Sequence, residues 1–309
     1  MQQIKIAVIG SINMDLVTQS VHFPNVGETL LGTSFHQFMG GKGANQAVAA
    51  ARLGATVQLI GAVGNDAFGC ELLASLQREQ VNVDAVKIIE NTPTGIANIT
   101  VAENDNHIIV VSGANFALTP ANIEAEEQSI AESDIILSQL EIPLACVLTA
   151  AKLAKKHSKP FILNPAPAQK LPLELLNLVT LLTPNAYELA ISLGLSQATP
   201  PESLIQQSPC QVVMTWGEKG ALYNDSSNDL HHLPGYQVNP IDTTGAGDTF
   251  NAALAVFWHL GVAKAIRHAN AAAALSITVL GAQNGMPSLT ALQAFINQQT
   301  YALLFSLLI

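Results

Sequence analysis

Asp248 closes the run Asp-Thr-Thr-Gly-Ala-Gly-Asp at 242–248, and a long helical pattern begins at once behind it. Gly245, Ala246 and Gly247 leave the backbone open to close approach. Successive amides at a helix N-terminus, with the helix dipole behind them, form an anion site. A carboxylate at that spot repels the anion that the amides attract. Its presence fits a base that takes a proton from a hydroxyl attacking a phosphoryl group. The same residues also suit a plain glycine turn with Asp248 as a helix cap, and the local pattern leaves both readings open.

A second glycine cluster, Gly40-Gly41-Lys42-Gly43-Ala44-Asn45, also opens a helical pattern. It is not a Walker P-loop, because Gly43 follows Lys42 where a Ser or Thr belongs. Neither cluster completes GxGxxG, since Gln46 and Phe250 occupy the last positions, which argues against a dinucleotide-dependent oxidoreductase. Exposed amides, Lys42 and Asn45 suit a polyol; a tight strand-to-helix turn is the plainer alternative. A third candidate, 10–15, follows the first apolar run, and its Asn13 and Asp15 can present two polar groups to vicinal hydroxyls. Gln139-Leu-Glu141 and Asn164-Pro-Ala-Pro167 follow two further apolar runs. In an open α/β sheet, ligands bind beyond the carboxyl ends of the strands, so all of these fall on one rim.

The elements that must hold this rim are short β-branched runs alternating with helical patterns. Strands are expected at 4–9, 57–63, 135–137, 161–163, 178–182 and 212–215, with helices at 44–53 and 144–157 and a mostly helical chain from 246. The alternation predicts a mostly parallel sheet with helices on both faces. Two stretches break it. Residues 22–39 read as irregular strands and turns, and 95–102 with 107–112 read as a hairpin joined through 103–106. They suggest a small separate β-layer. Residues 195–209 hold two prolines and too little chain for a long helix, and 224–232 reads as a surface hairpin.

Composition bounds the function. Of 309 residues, 49% are apolar and 12% charged, which predicts a sizeable core. The net charge of −10, with only 13 Lys plus Arg, provides no basic run to track a phosphate backbone, so nucleic acid is not an expected partner. Cys70, Cys146 and Cys210 are widely spaced and form no metal or redox motif; reduced thiols in the cytoplasm are the expectation. The first apolar run is too short for a signal peptide and the apolar end, 301–309, too short to span a bilayer, so no membrane partner is expected. That end reads as a core-packing helix terminus or an interface segment.

The chain resembles the ribokinase (PfkB-type) carbohydrate kinases over nearly its whole length. Gly-Gly-Lys-Gly-Ala-Asn-Gln-Ala at 40–47, with Gly54 and Gly64 at the expected distances, is similar to one signature of that family. Asp-Thr-Thr-Gly-Ala-Gly-Asp-Thr-Phe-Asn-Ala-Ala-Leu-Ala at 242–255 is similar to the other. Asn13/Asp15, 113–115, 139–141, 164–168, 183–188 and 281–283 resemble further blocks in the same order. The resemblance implies a Rossmann-like three-layer αβα sandwich, one domain over 1–309, with a small β-sheet lid from inserted segments 14–40 and 94–113. It implies an ATP-dependent kinase acting on the primary hydroxyl of D-ribose, with 2-deoxyribose or another sugar or nucleoside as the alternative. Asn13, Asp15, Gly41, Lys42, Asn45 and Glu141 would hold the sugar and Asp248 would be the base. Gly245, Ala246, Gly247 and the Asp248 amide would form the anion hole.

On the nucleotide side, the resemblance implies Asn185 and Glu188 organising Mg²⁺ and phosphates. It also implies Thr215, Gly217 and Gly220 in the nucleotide-binding turn and Asn270 near the adenine. A potassium ion is implied beside the anion hole, with Asp242 and Thr244 as ligands and backbone carbonyls near Ser276, Val279, Gly281 and Gly285. Here the chain departs from the family, which commonly carries a basic residue around 279–280 and a Ser near 285. A homodimer through the lid is implied as well. A non-catalytic sugar- or nucleotide-binding protein on the same scaffold is a separate class; it has no need of Asp248, Gly245, Gly247, Asn185 and Glu188 together.

Overall fold

The first apolar run forms β1 (Lys5–Ile9), in which Ala7, Val8 and Ile9 have no solvent exposure, as a strand covered on both faces requires. The structure, a computed structural model, describes residues 3–103 and 105–306. The other strands among them are β2 (Asn13–Gln19), β3 (Ser34–Gly40), β4 (Thr56–Gly64), β5 (Val81–Asn82), β6 (Val86–Ile89), β7 (Gly95–Ala102) and β8 (Asp105–Val111). They continue with β9 (Ile135–Ser138), β10 (Phe161–Leu163), β11 (Leu181–Leu182), β12 (Gln211–Thr215), β13 (Ala221–Asn224) and β14 (Leu230–Leu233). The larger sheet has the order β14-β13-β12-β11-β10-β9-β1-β4-β5, with β6 also on β4. Its pairs are parallel except at the β12–β13–β14 meander.

Alternation along β1 divides the core. Ile6 and Val8 point into one apolar cluster with the helices Lys42–Arg52, Ala246–Val256 and Val262–Ser276; Ala7 and Ile9 point into another with Leu144–Lys156 and Ala186–Leu193. This is the expected three-layer arrangement. The second sheet, β3-β2-β7-β8, springs from the carboxyl end of β1. In it β2 is antiparallel to β3 and parallel to β7, and β7 and β8 form an antiparallel hairpin. Asn13 lies between Gly40 and Gly95, and Asp15 between Phe38 and Ala97, so the register carries both polar residues next to the Gly40–Gly41 turn. Every residue of β8 is exposed.

Most expected boundaries shift by one or two residues, and two of the differences have a plain local cause. The strand expected at 178–182 shrinks to β11, because the short helix Leu173–Leu176 continues as a turn: the Leu178 and Val179 amides both donate to the Leu175 carbonyl. The hairpin strand begins at Asp105, not 107, because Asn106 pairs with Val101 and Asp105 with Ala102. The segment 195–209 contains only the six-residue helix Pro201–Gln206, started by its own proline. The last helix spans Leu289–Ser306. The two readings of the apolar end, 301–309, concern side chains outside the described residues.

Candidate active site

The helix Ala246–Val256 begins on Gly245, whose φ of 78° is left-handed; a Cβ there would stand 2.9 Å from that of Ala282. This turn aims the first amides of the helix outward. Ala246 N donates to Thr243 O over a long 3.3 Å, and the amides of Gly247 and Asp248 have no protein acceptor among the described residues. Asp248 does not cap the helix. Its buried carboxylate accepts from Asn45 Nδ2 at one oxygen and from Gln46 Nε2 at the other, each at 3.0 Å. The capping alternative is thereby removed.

Those two donors come from the helix Lys42–Arg52, which packs along Ala246–Val256 and also starts on a glycine of positive φ, Gly41 at 89°. A Cβ on Gly41 would stand 2.7 Å from Asn13 N, so the glycine admits the strand that carries Asn13 and Asp15. Glu141 Oε2 accepts from Ser11 Oγ at 2.5 Å and Lys42 N at 3.2 Å. Asn13 Oδ1 accepts from Asn115 Nδ2 at 2.7 Å, while Asn115 also bonds both backbone groups of Ile12. Asn115 thus fixes the bend between the sheets.

The electrostatics are those of one cation among acids. Burial works against the Lys42 charge, but Asp248, Glu141, Glu188 and Asp15 outweigh it and raise its pKa above the ordinary value. Asp15 is pushed up to about 7, first by burial and then by the charges of Glu141 and Asp248, with Lys42 opposing. Glu188 is raised by burial too, against the Asn185 amide that it accepts from and the Lys42 charge.

Two adjoining cavities meet at this point. The smaller, about 130 Å³, is lined by Lys42, Asn185, Glu188, Gly245, Gly247 and Asp248 among others. Asn185 and Glu188 form a capping box, each side chain accepting from the other's amide at 2.8 Å. Asn185 also bridges Thr215, which lines both cavities, as does Gly247. The larger cleft, about 380 Å³, runs past Gly217, Gly220, Ala246 and Asn270 over apolar walls of Val238, Phe250 and Ile277. Asn270 Nδ2 is committed to the carbonyls of Leu233 and Pro234, which leaves its oxygen available.

The remaining expected residues form a loop pair that lines neither cavity. Asp242 accepts from Thr244 N at 2.9 Å and Gly281 N at 2.8 Å. Burial opposes its charge, but hydrogen bonds from the Thr244 side chain and amide and the Gly281 amide hold the carboxyl below its ordinary value. Ile277 O takes the amides of Ile241 and Asp242; Gly285 packs on the Ser276 carbonyl; Val279 is exposed. Among the described residues no group of three His, Cys, Asp or Glu side chains is arranged to hold a metal ion.

Sequence reasoning missed the polar layer behind Asp248. Gln46 and Gln139 are fully buried, and Asn251 binds Gly247 O at 2.8 Å and takes a hydrogen bond from Thr183. The available signal was a glutamine inside the alanine-rich run 44–51, where only a partnered amide can be buried.

A profile described as pfkB family carbohydrate kinase matches residues 3–289. A ribokinase of Bacillus subtilis (strain 168) is 45% identical over 289 residues, covering 92% of this chain and 96% of the relative. A deoxyribokinase of Salmonella typhi is 35% identical over 302 residues, 94% and 98% of the two chains. The structure of Arabidopsis thaliana ribokinase complexed with ribose and ATP is similar with a TM-score of 0.89 at 31% identity, covering 96% of this chain and 99% of that one.

Proposed function

The chain belongs to the pfkB family of carbohydrate kinases, and we propose that it transfers the γ-phosphoryl of ATP to the 5-hydroxyl of D-ribose. The observation that carries this reading is Asp248, held by Asn45 and Gln46 beside unpartnered helix amides where two cavities meet. In this reading Asn13, Asp15, Gly41, Lys42, Asn45 and Glu141 bind the sugar. The purine lies in the larger cleft past Gly217, Gly220 and Asn270, and the phosphates extend over Thr215 and Gly247 into the smaller cavity.

Asp248 takes the hydroxyl proton as the sugar oxygen bonds to the γ-phosphorus and the bond to the bridging oxygen breaks, releasing ADP. The amides of Ala246, Gly247 and Asp248 meet the charge on the equatorial oxygens. The small sheet acts as a lid that excludes water. Magnesium fits Asn185 and Glu188: a half-sequestered carboxylate beside a phosphate-sized cavity, without a multi-carboxylate cage, suits an ion carried on phosphates and water. Such an ion neutralises phosphate charge. Potassium fits Asp242, Thr244 and the carbonyls of 276–285, hard oxygen donors with a single acid held ionised.

Three unpaired cysteines accord with a cytoplasmic location. The exposed Ile108, Ile109, Val110 and Val111 on an edge strand accord with a homodimer through the small sheet. ADP release measured across a sugar panel, with kcat/KM for ribose against 2-deoxyribose, tests the activity. Preference for 2-deoxyribose would reassign the substrate, and absence of turnover with every sugar and nucleoside would overturn the kinase.

A further inference from the structure

A row of side-chain amides runs from Asp248 into the protein; Asn164 in it lines the smaller cavity, and Gln46 and Gln139 line neither. Gln46 Nε2 donates to Asp248 Oδ1 at 3.0 Å and to Asn164 Oδ1 at 3.3 Å; Gln46 Oε1 accepts from Gln139 Nε2 at 2.6 Å. Gln46 and Gln139 have no solvent exposure, and Gln139 Oε1 ends the row buried and without a partner among the described residues. One group dictates the direction of the whole row. An ionised carboxylate only accepts, so Gln46 must turn its NH₂ to Asp248 and its carbonyl inward, and Gln139 must answer with its own NH₂. The unsatisfied oxygen collects at the far end. There Gly10 closes β1, and a Cβ on Gly10 would overlap the Gln139 amide. A fold that simply filled this space would use apolar side chains and orphan nothing.

We propose that Gln139, acting through Gln46, is a positioning residue: its donated N–H holds Gln46 in the one orientation that Asp248 demands, and so keeps the Asp248 carboxylate in one place as an acceptor. The inference rests on the reading of Asp248 as the base. If Gln139 only filled space, an apolar side chain of similar length would serve as well. If its donated N–H matters, the apolar side chain fails, and a carboxylic acid of the same shape serves only while protonated. A protonated carboxyl in place of the Gln139 amide donates its O–H to Gln46 Oε1. An ionised one demands the Gln46 NH₂, turns that amide round and sets its oxygen against Asp248.

The test measures kcat for ADP release at saturating ribose and ATP, for the whole protein and for Gln139→Glu, as a ratio at each pH. Asp15, Lys42, Glu141 and Glu188 face the site from other elements and are common to both proteins, so the ratio isolates the substituted side chain. Burial raises a glutamate pKa, so the ratio is expected within about threefold of one near pH 5.5 and at least about tenfold lower by pH 8.5. A ratio that does not change with pH overturns the inference. An ionised carboxylate is costly at this buried place whatever the role of Gln139, so Gln139→Met decides between the roles: a fall in kcat of about three- to tenfold, with ATP affinity by calorimetry within about twofold, supports the inference, and an unchanged kcat overturns it. Wild-type protein without turnover would instead overturn the kinase reading, and this inference with it.

Discussion

Two eleven-residue helices, Lys42–Arg52 and Ala246–Val256, lie against each other, and both begin on a glycine of positive φ without a side-chain cap. Their first turns are nevertheless opposite in what they do with their amides. At the Gly41 end, Lys42 N goes to Glu141, Gly43 N to Ser11 Oγ, and Ala44 N to Ser11 O. That end is completed by the protein. At the Gly245 end, the amides of Gly247 and Asp248 find no acceptor among the described residues, and a Cβ at Gly247 would meet none of them within 4 Å. One end is a joint that braces the residues proposed to hold the sugar. The other leaves its donors open, as the proposed phosphoryl site requires.

The contrast breaks most severely at Asp248. Asp248→Asn keeps the shape of the open end but removes its proton acceptor, so kcat should fall by about 10²–10⁴-fold while ribose binding by calorimetry changes little. Substantial retained turnover would put the base elsewhere.

Next come the two glycines, compared directly. Gly245→Ala forces a left-handed alanine toward Ala282, which should cost about 1–2 kcal/mol of stability, read as a lower Tm. It should also misaim the open amides and lower kcat by about tenfold. Gly41→Ala should instead raise the KM for ribose, because its Cβ meets the backbone of 11–13. If both variants changed the same kinetic constant, the division of labour between the ends would be wrong.

Asp15 gives a smaller, pH-dependent effect. Its carboxyl titrates near 3.8 when exposed and at about 7 in the folded chain. Between those values the native state binds more protons than the unfolded one, so this group's contribution to stability falls as pH rises through the window. Asp15→Asn should therefore gain Tm over wild type between about pH 4 and 7, with the gain held above, while its KM for ribose rises severalfold. A Tm difference independent of pH would refute the assignment. Smallest is Ser11→Ala, which removes a link inside the closed end and should lower stability by about 1–2 kcal/mol by denaturant titration.

Much of this was legible in the chain. The β-branched runs at 4–9, 57–63 and 135–137 announce buried parallel strands because such strands have no polar face to confuse the pattern. The glycine clusters announce both helix starts. The polar layer left only a faint signal, because Gln46 follows Asn45 by one position and a helix turns it about a quarter of a circle away, into what reads as core. The walls of the larger cleft were not legible: Val238, Phe250 and Ile277 are ordinary apolar residues until three separate segments bring them together. The 178–182 boundary failed for a local reason, a turn of helix that local propensity does not separate from a strand of leucines.

The half-buried carboxyl on β2 carries one more consequence. With its pKa pushed up to about 7, it is partly protonated near neutral pH. A sugar that needs an acceptor there must displace that fraction into the solvent, so the heat of binding includes the heat of protonating the buffer. The same sugar would then give different apparent enthalpies in phosphate and in Tris, and the difference would count the protons released.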